Sequence, residues 1–212
     1  MPPAEALAVV ETRLVHRTHR AATSLLADAA ARPSAPAAEL RALRDFLVAA
    51  LHHHHETEDG LLWPALRTAA PDAAEALDAL SHEHDELDAA LDALAAAPVP
   101  EAGSREELAV AAVAVRDLVH RHLEHEEPIL FPALRAHLSE EAWLAFSGKV
   151  MAGSPQEGAH LQVGLMQEAG SFEELAAVLA HLPPPLREAL PALGAQAQLT
   201  LQALRNAKET PV

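Results

Sequence analysis

The chain has no cysteine, so disulfides, thiolate metal sites and cysteine nucleophiles are all excluded. Tyrosine is also absent, which rules out a tyrosyl radical. Lysine occurs only at Lys149 and Lys208, and the net charge is −16 with histidines neutral. Such a surface repels nucleic acid and anionic membranes, so neither is expected as a partner. Aromatic residues are only 3% of the chain, while half the residues are apolar with Ala and Leu dominant. That balance suits helices packed closely on one another more than a sheet rich in Val, Ile, Tyr and Phe. No apolar run approaches the ~20 residues needed to span a bilayer. The first residues carry Glu5 and Glu11 and lack a basic stretch followed by an apolar core, so no signal peptide is read and a soluble cytoplasmic protein is expected.

What is abundant is histidine. Fourteen occur in 212 residues, and the run His52 to His55 lies mid-chain, away from the place of a purification tag. This length suits one good-sized domain, or one domain with an appendage. Pro2-Pro3 precedes a helical pattern from about Ala4 to Ala31, broken by the prolines of Arg32-Pro-Ser-Ala-Pro36. A second helix is expected from Ala37 through Glu58, with Leu40, Leu43, Leu47 and Leu51 at spacings of three and four. Gly60 and Pro64 mark a weakening or bend, and Pro71-Asp72 opens a third helix that ends at Ala97-Pro98-Val99-Pro100. Gly103-Ser104 starts a fourth, with Ser104 and Glu107 in the positions of a capping box, and Pro128 is expected to bend it. Short breaks between four helices predict an all-α, up-down-up-down four-helix bundle. Beyond it, Ser139-Glu140-Glu141, Gly153-Ser154-Pro155, Gly170-Ser171 and Pro183-Pro184-Pro185 punctuate additional C-terminal helices, the last carrying Leu186, Leu190 and Leu193.

The bundle contains an internal repeat displaced by 68 positions. His52 falls on His120, His54 on His122, Glu56 on Glu124 and Glu58 on Glu126. Leu61-Leu62-Trp63-Pro64-Ala65-Leu66-Arg67 falls on Ile129-Leu130-Phe131-Pro132-Ala133-Leu134-Arg135, and His16 falls on His84. Two helical hairpins therefore make up residues 1–138, leaving 139–212 as a helical extension packed on the bundle or at a dimer contact.

Two His-x-x-x-Glu pairs, His54/Glu58 and His122/Glu126, put both side chains on one helix face, a turn apart. They also continue the apolar stripes: Leu47, Leu51, His54, Glu58, Leu62 in one helix and Val115, Val119, His122, Glu126, Leu130 in the other. His84 lies on the stripe of Leu77, Leu80, Leu87 and Leu91. A carboxylate among leucines costs several kcal/mol unless it is paired or bound to a cation, and few basic residues share those faces. Imidazole and carboxylate together suit iron, manganese or zinc. Two central carboxylates that can each bridge two ions favour a dinuclear site, its charge offset by a bridging oxide or hydroxide. In the first helix both His16 and His19 lie on plausible stripes, so the ligand there stays open between them.

The order His, His-x-x-x-Glu, His, His-x-x-x-Glu, with Glu-Asp or Glu-Glu before Leu-Trp-Pro or Leu-Phe-Pro, resembles the hemerythrin-like (HHE cation-binding) domain family. The resemblance covers residues 1–138, and the tail is similar to that of actinobacterial members. It implies a non-haem di-iron centre, oxo- or hydroxo-bridged, with His16, His54, Glu58, His84, His122 and Glu126 as ligands. Its partner would be a diatomic or peroxide ligand: oxygen bound or sensed, or peroxide or nitric oxide consumed. His19, His55 and His160 stand as additional ligands or their neighbours. His53 and His125 are expected in solvent or beside the ligands, and His82 on a solvated face.

Two features depart from the oxygen carriers of that family. They have a second histidine four residues from the one on the third helix, where this chain has Leu80 and Asp88. They also have a His-x-x-x-x-Asp pair on the fourth helix, here His-x-x-x-Glu. Fewer histidines leave a water or extra carboxylate on the metal, which favours peroxide chemistry, redox sensing or iron handling as much as oxygen carriage. The alternatives are a metal-binding or storage module without turnover, with zinc or manganese as other occupants, and a helical interaction protein stapled by metal. A monomer or a homodimer is expected.

Overall fold

The computed structural model describes residues 5–206. Four long helices form the bundle: α1 (Leu7–Ala30), α2 (Ala37–Thr57), α4 (Ala74–Ala96) and α5 (Glu106–His137), with a short α3 (Trp63–Ala69) closing the first hairpin. They make a ring in which α1 touches α2 and α5, and α4 touches α2 and α5. Four further helices follow: α6 (Glu140–Gly153), α7 (Ala159–Ala169), α8 (Phe172–His181) and α9 (Pro184–Arg205). These pack on the α1 side of the bundle, with α7 and α9 paired, and no strand occurs among the described residues. The fold is the expected helical bundle with additional C-terminal helices. Pro2-Pro3 and the expected first helical residue, Ala4, lie outside the described residues.

The apolar stripes divide into two cores. One joins Leu26, Leu47, Leu51, Leu87, Leu91 and Val119 to Leu161, Leu165 and Leu201 of the C-terminal layer. The other joins Val9, Leu62, Trp63, Leu80 and Leu130 to Trp143. The ligand candidates fall between them: on α5, for example, His122 and Glu126 separate Val119 of the first core from Leu130 of the second. Removing one fully buried leucine such as Leu47 or Leu80 is expected to cost about 2–5 kcal/mol.

Several local expectations are corrected. The second helix does not run evenly through Glu58: the turn Glu58–Leu62 is π-helical before α3 resumes. Pro64 has no N–H to continue the ladder from Gly60, and Trp63 N–H instead reaches back five residues to Glu58 O. The third helix is preceded by a 3₁₀ turn, Pro71–Ala73. The box at Ser104 and Glu107 does not form. Ser104 Oγ accepts from Glu106 N at 3.2 Å, and α5 starts at Glu106 after Arg105. The buried Arg105 guanidinium donates to Ala35 O and Pro100 O, and Gly103 takes φ +102°, so these fix the entry instead. α5 continues as one helix through Pro128 and Pro132 to His137. At α6, Ser139 caps the helix by accepting from Ala142 N, and the helix runs to Gly153. In α9 the buried positions are Gly194, Ala197, Leu201 and Leu204 rather than Leu186, Leu190 and Leu193. Gly164 of α7 makes that contact possible: a Cβ there would lie 2.3 Å from Ala197 Cβ.

Candidate metal centre

Four helices deliver the six side chains to one level of the bundle: His16 from α1, His54 from α2 with Glu58 just past its end, His84 from α4, and His122 and Glu126 from α5. Two groups of donor atoms lie within metal-binding reach of one another, His16/His54/Glu58/Glu126 and Glu58/His84/His122. Glu58 belongs to both. Its Oε1 is 3.3 Å from His54 Nε2 and its Oε2 is 3.5 Å from His84 Nε2. Glu126 spans the same two sides, with Oε2 at 3.7 Å from His16 Nε2 and 3.3 Å from His122 Nε2. His84 Nε2 and His122 Nε2 converge at 3.2 Å. Each carboxylate therefore touches one histidine from each half of the repeat.

The inward atoms are left without protein partners. His16 Nε2, His54 Nε2, Glu58 Oε2 and both oxygens of Glu126 are buried and make no hydrogen bond to any of the described residues. Each such group typically costs about 1–3 kcal/mol, and that cost falls on the atoms that suit a cation. Three of the outward ring nitrogens, by contrast, are held. His16 Nδ1 donates to Glu127 (3.2 Å), His84 Nδ1 to Asp59 (2.9 Å) and His122 Nδ1 to Glu83 (2.9 Å). A carboxylate behind the imidazole fixes its tautomer and presents a lone pair on Nε2 to the centre. Arg20 and Ser81 in turn hold Glu127 and Asp59.

Electrostatics differ among the histidines around the two acids. Burial, then the neighbouring His19, His16, His55 and His84, holds the His54 pKa well below its ordinary value. Burial, then His55, lowers His84 despite Asp59. Burial also lowers His122, but Glu126 and Glu83 outweigh it and leave that pKa raised. Burial and the Glu126 carboxylate push the Glu58 pKa well up. Two carboxylates this close do not both ionise without a cation.

Of the remaining histidines, His19 is buried 4.8 Å, centroid to centroid, from His54, and burial, then His16 and His55, lowers its pKa to about 3. His55 is buried, stacks on His84 at 4.4 Å and donates from Nδ1 to Asp88 at 2.7 Å. Neither belongs to the two converging groups, and His160, half-buried at the start of α7, lies outside them as well. His53 Nε2 is 3.1 Å from Val150 O, and His125 shares Glu83 with His122. The His82 side chain is 86% exposed. Asp59, Glu83, Asp88 and Glu127 hold the rings of His84, His122, His55 and His16 and are not among the residues expected from the sequence. For Asp59 and Glu127 a signal existed, because they are equivalent in the repeat; for Glu83 and Asp88 only the packing of α4 on its neighbours reveals the contact.

A family model described as the hemerythrin HHE cation binding domain matches residues 10–134. No curated protein and no solved structure was found to match the chain. The matched span ends inside α5, so α6 to α9 lie beyond it.

Proposed function

The chain belongs to the hemerythrin HHE cation-binding domain family, and from that premise we propose a carboxylate-bridged di-iron centre that binds or senses oxygen or reacts with peroxide or nitric oxide. His16 and His54 would hold one ion and His84 and His122 the other, with Glu58, which belongs to both donor groups, and Glu126 lying between them. The observation that carries this reading is the set of buried, unpartnered atoms on His16, His54, Glu58 and Glu126, all directed at one space. Nitrogen and carboxylate donors in this ratio suit iron, with zinc and manganese as other occupants.

Bound iron would supply a redox-active Lewis acid with a position open to a small ligand. The chain's own residues do the rest. Asp59, Glu83 and Glu127 keep three imidazoles oriented through their Nδ1 atoms. Leu51, Leu62, Leu80, Leu87 and Leu130 exclude water on either side. His19 stands beside His54 and His55 beside His84, so a buried imidazole borders the ligand candidates on each side.

The test is reactivity. Iron-loaded protein, reduced without air, is mixed separately with oxygen, peroxide and nitric oxide while its near-ultraviolet and visible absorption is followed. A change with any of the three supports the reading. An iron form that responds to none of them, or a chain that takes only zinc, overturns it in favour of a storage or structural site.

A further inference from the structure

A cavity of about 710 Å³ lies between the bundle and the C-terminal layer. Leu14, Val15 and Phe46 of α1 and α2 form one wall, and Phe146, Val163 and Leu190 of α6, α7 and α9 form the other. Its inner end is His19, His54 and Glu58. Of the six proposed ligand side chains, five are at most 4% exposed, while His54 is 15% exposed. His54, the most exposed of the six, thus lines this cavity together with Glu58, while its Nε2 stays buried.

We propose that the cavity is a binding site for an uncharged, largely hydrocarbon molecule, whose inner end meets the metal centre at His54. Its size falls in the range of small-molecule pockets, roughly 300–1,000 Å³. Among the described residues no lysine or arginine lines it, so no fixed cationic side chain is in place to pair with an anionic headgroup; its titratable nitrogen groups are the imidazoles of His19, His53, His54 and His181. The carboxyl groups in the lining are Glu58 and Glu11. Glu11 accepts from Trp143 Nε1 at 2.6 Å, so one of its oxygens is already partnered within the wall. The C-terminal layer also contributes apolar surface here: Leu186, Leu190 and Leu193 line the chamber instead of joining either core. The contact with the metal rests on the di-iron reading above; the cavity's taste for lipophiles does not.

The experiment titrates the purified, iron-loaded full chain with the uncharged fluorophore N-phenyl-1-naphthylamine, then competes it with 1-dodecanol or, at pH 8, with dodecanoate. One saturable site per chain is expected, with dodecanol displacing the probe at least tenfold better than the ionised acid. Val163→Trp and Leu190→Trp, each filling the chamber from a different helix, should weaken probe binding at least tenfold at unchanged iron content and helicity. Val110→Trp, on the exposed outer face of α5, should leave it unchanged. Dodecanol should also shift the iron absorption of the unsubstituted chain. Absence of saturable binding, or binding that survives in both filled variants, overturns the site. An unshifted iron spectrum at saturation overturns the contact with the metal. Probe binding by a chain that holds no iron counts for the chamber and against the di-iron reading; two irons without probe binding counts the other way.

Discussion

Asp59 Oδ2 accepts a hydrogen bond from His84 Nδ1 at 2.9 Å, across from one hairpin to the other. Its repeat equivalent, Glu127, accepts from His16 Nδ1 at 3.2 Å, returning the contact in the opposite direction. The 68-residue repeat is thus a pseudo-two-fold arrangement in three dimensions: each hairpin supplies the carboxylate that orients the other's histidine. Both acids directly follow a central glutamate, Glu58 or Glu126, so one dipeptide delivers a carboxylate to the metal space and another behind the facing imidazole.

Removing these outer carboxylates should weaken metal binding without unfolding the bundle. Asp59→Asn and Glu127→Gln are each expected to lower metal affinity about 10- to 100-fold, read by competition with a chromophoric chelator. Unchanged affinity in both variants would reduce the two acids to surface charges.

The central glutamates should be a stability liability in the metal-free chain. Glu58→Gln keeps the volume and removes a carboxyl that is driven to take up a proton when it is buried beside Glu126, so the metal-free variant should be more stable by about 1–3 kcal/mol in denaturant. Glu58→Ala and Glu126→Ala should each lose the second ion. A variant that kept full iron content would contradict the bridging role.

Much of this was legible in the sequence because the ligand candidates sit on the same stripes as the leucines. A face that reads Leu51, His54, Glu58, Leu62 has to bury its polar members, and the repeat then pairs them with a second set. The ambiguity between His16 and His19 arose because adjacent turns of one helix present both inward; in the structure His16 joins the converging atoms and His19 borders His54. The π turn after Thr57 was visible only as Gly60 and Pro64, residues that mark a weakened ladder without specifying how it is repaired. The entry to α5 was misread because Arg105 is anchored by carbonyls of distant segments, which no local pattern records. The chamber was hidden for a related reason. Leu186, Leu190 and Leu193 have the spacing of a packed helix face, and spacing does not tell a core from a cavity wall.

His19 offers a test the repeat itself suggests, since its equivalent is Leu87. Its Nδ1 is buried without a partner, so His19→Leu should stabilise the metal-free chain by about 1–3 kcal/mol and leave two ions bound. Loss of an ion in this variant would make His19 a ligand.

The attachment of α8 should depend on acid pH. Arg17 Nη2 lies 2.5 Å from Glu174 Oε2 and Arg13 Nη2 3.3 Å from Oε1. Burial raises the Glu174 pKa, but Arg17, the Ser171 N–H and Arg13 outweigh it and hold it at about 2. A carboxylate depressed in the folded state stabilises it fully above the unfolded value of 4.5, and that stability fades as pH falls towards 2. Glu174→Ala should therefore cost about 1–2 kcal/mol at pH 7, allowing for partial solvent screening, and progressively less below pH 4.5. A cost that does not change between pH 7 and pH 3 would assign it to lost packing.

The account turns on two ions sharing six side chains. Anaerobic titration of metal-free protein with ferrous iron, followed by elemental analysis after desalting, measures this directly. It should saturate at two irons per chain in the parent protein and in His82→Ala, and at one or fewer in Glu126→Ala. Saturation of the parent chain at a single iron, or two irons retained in Glu126→Ala, would contradict it.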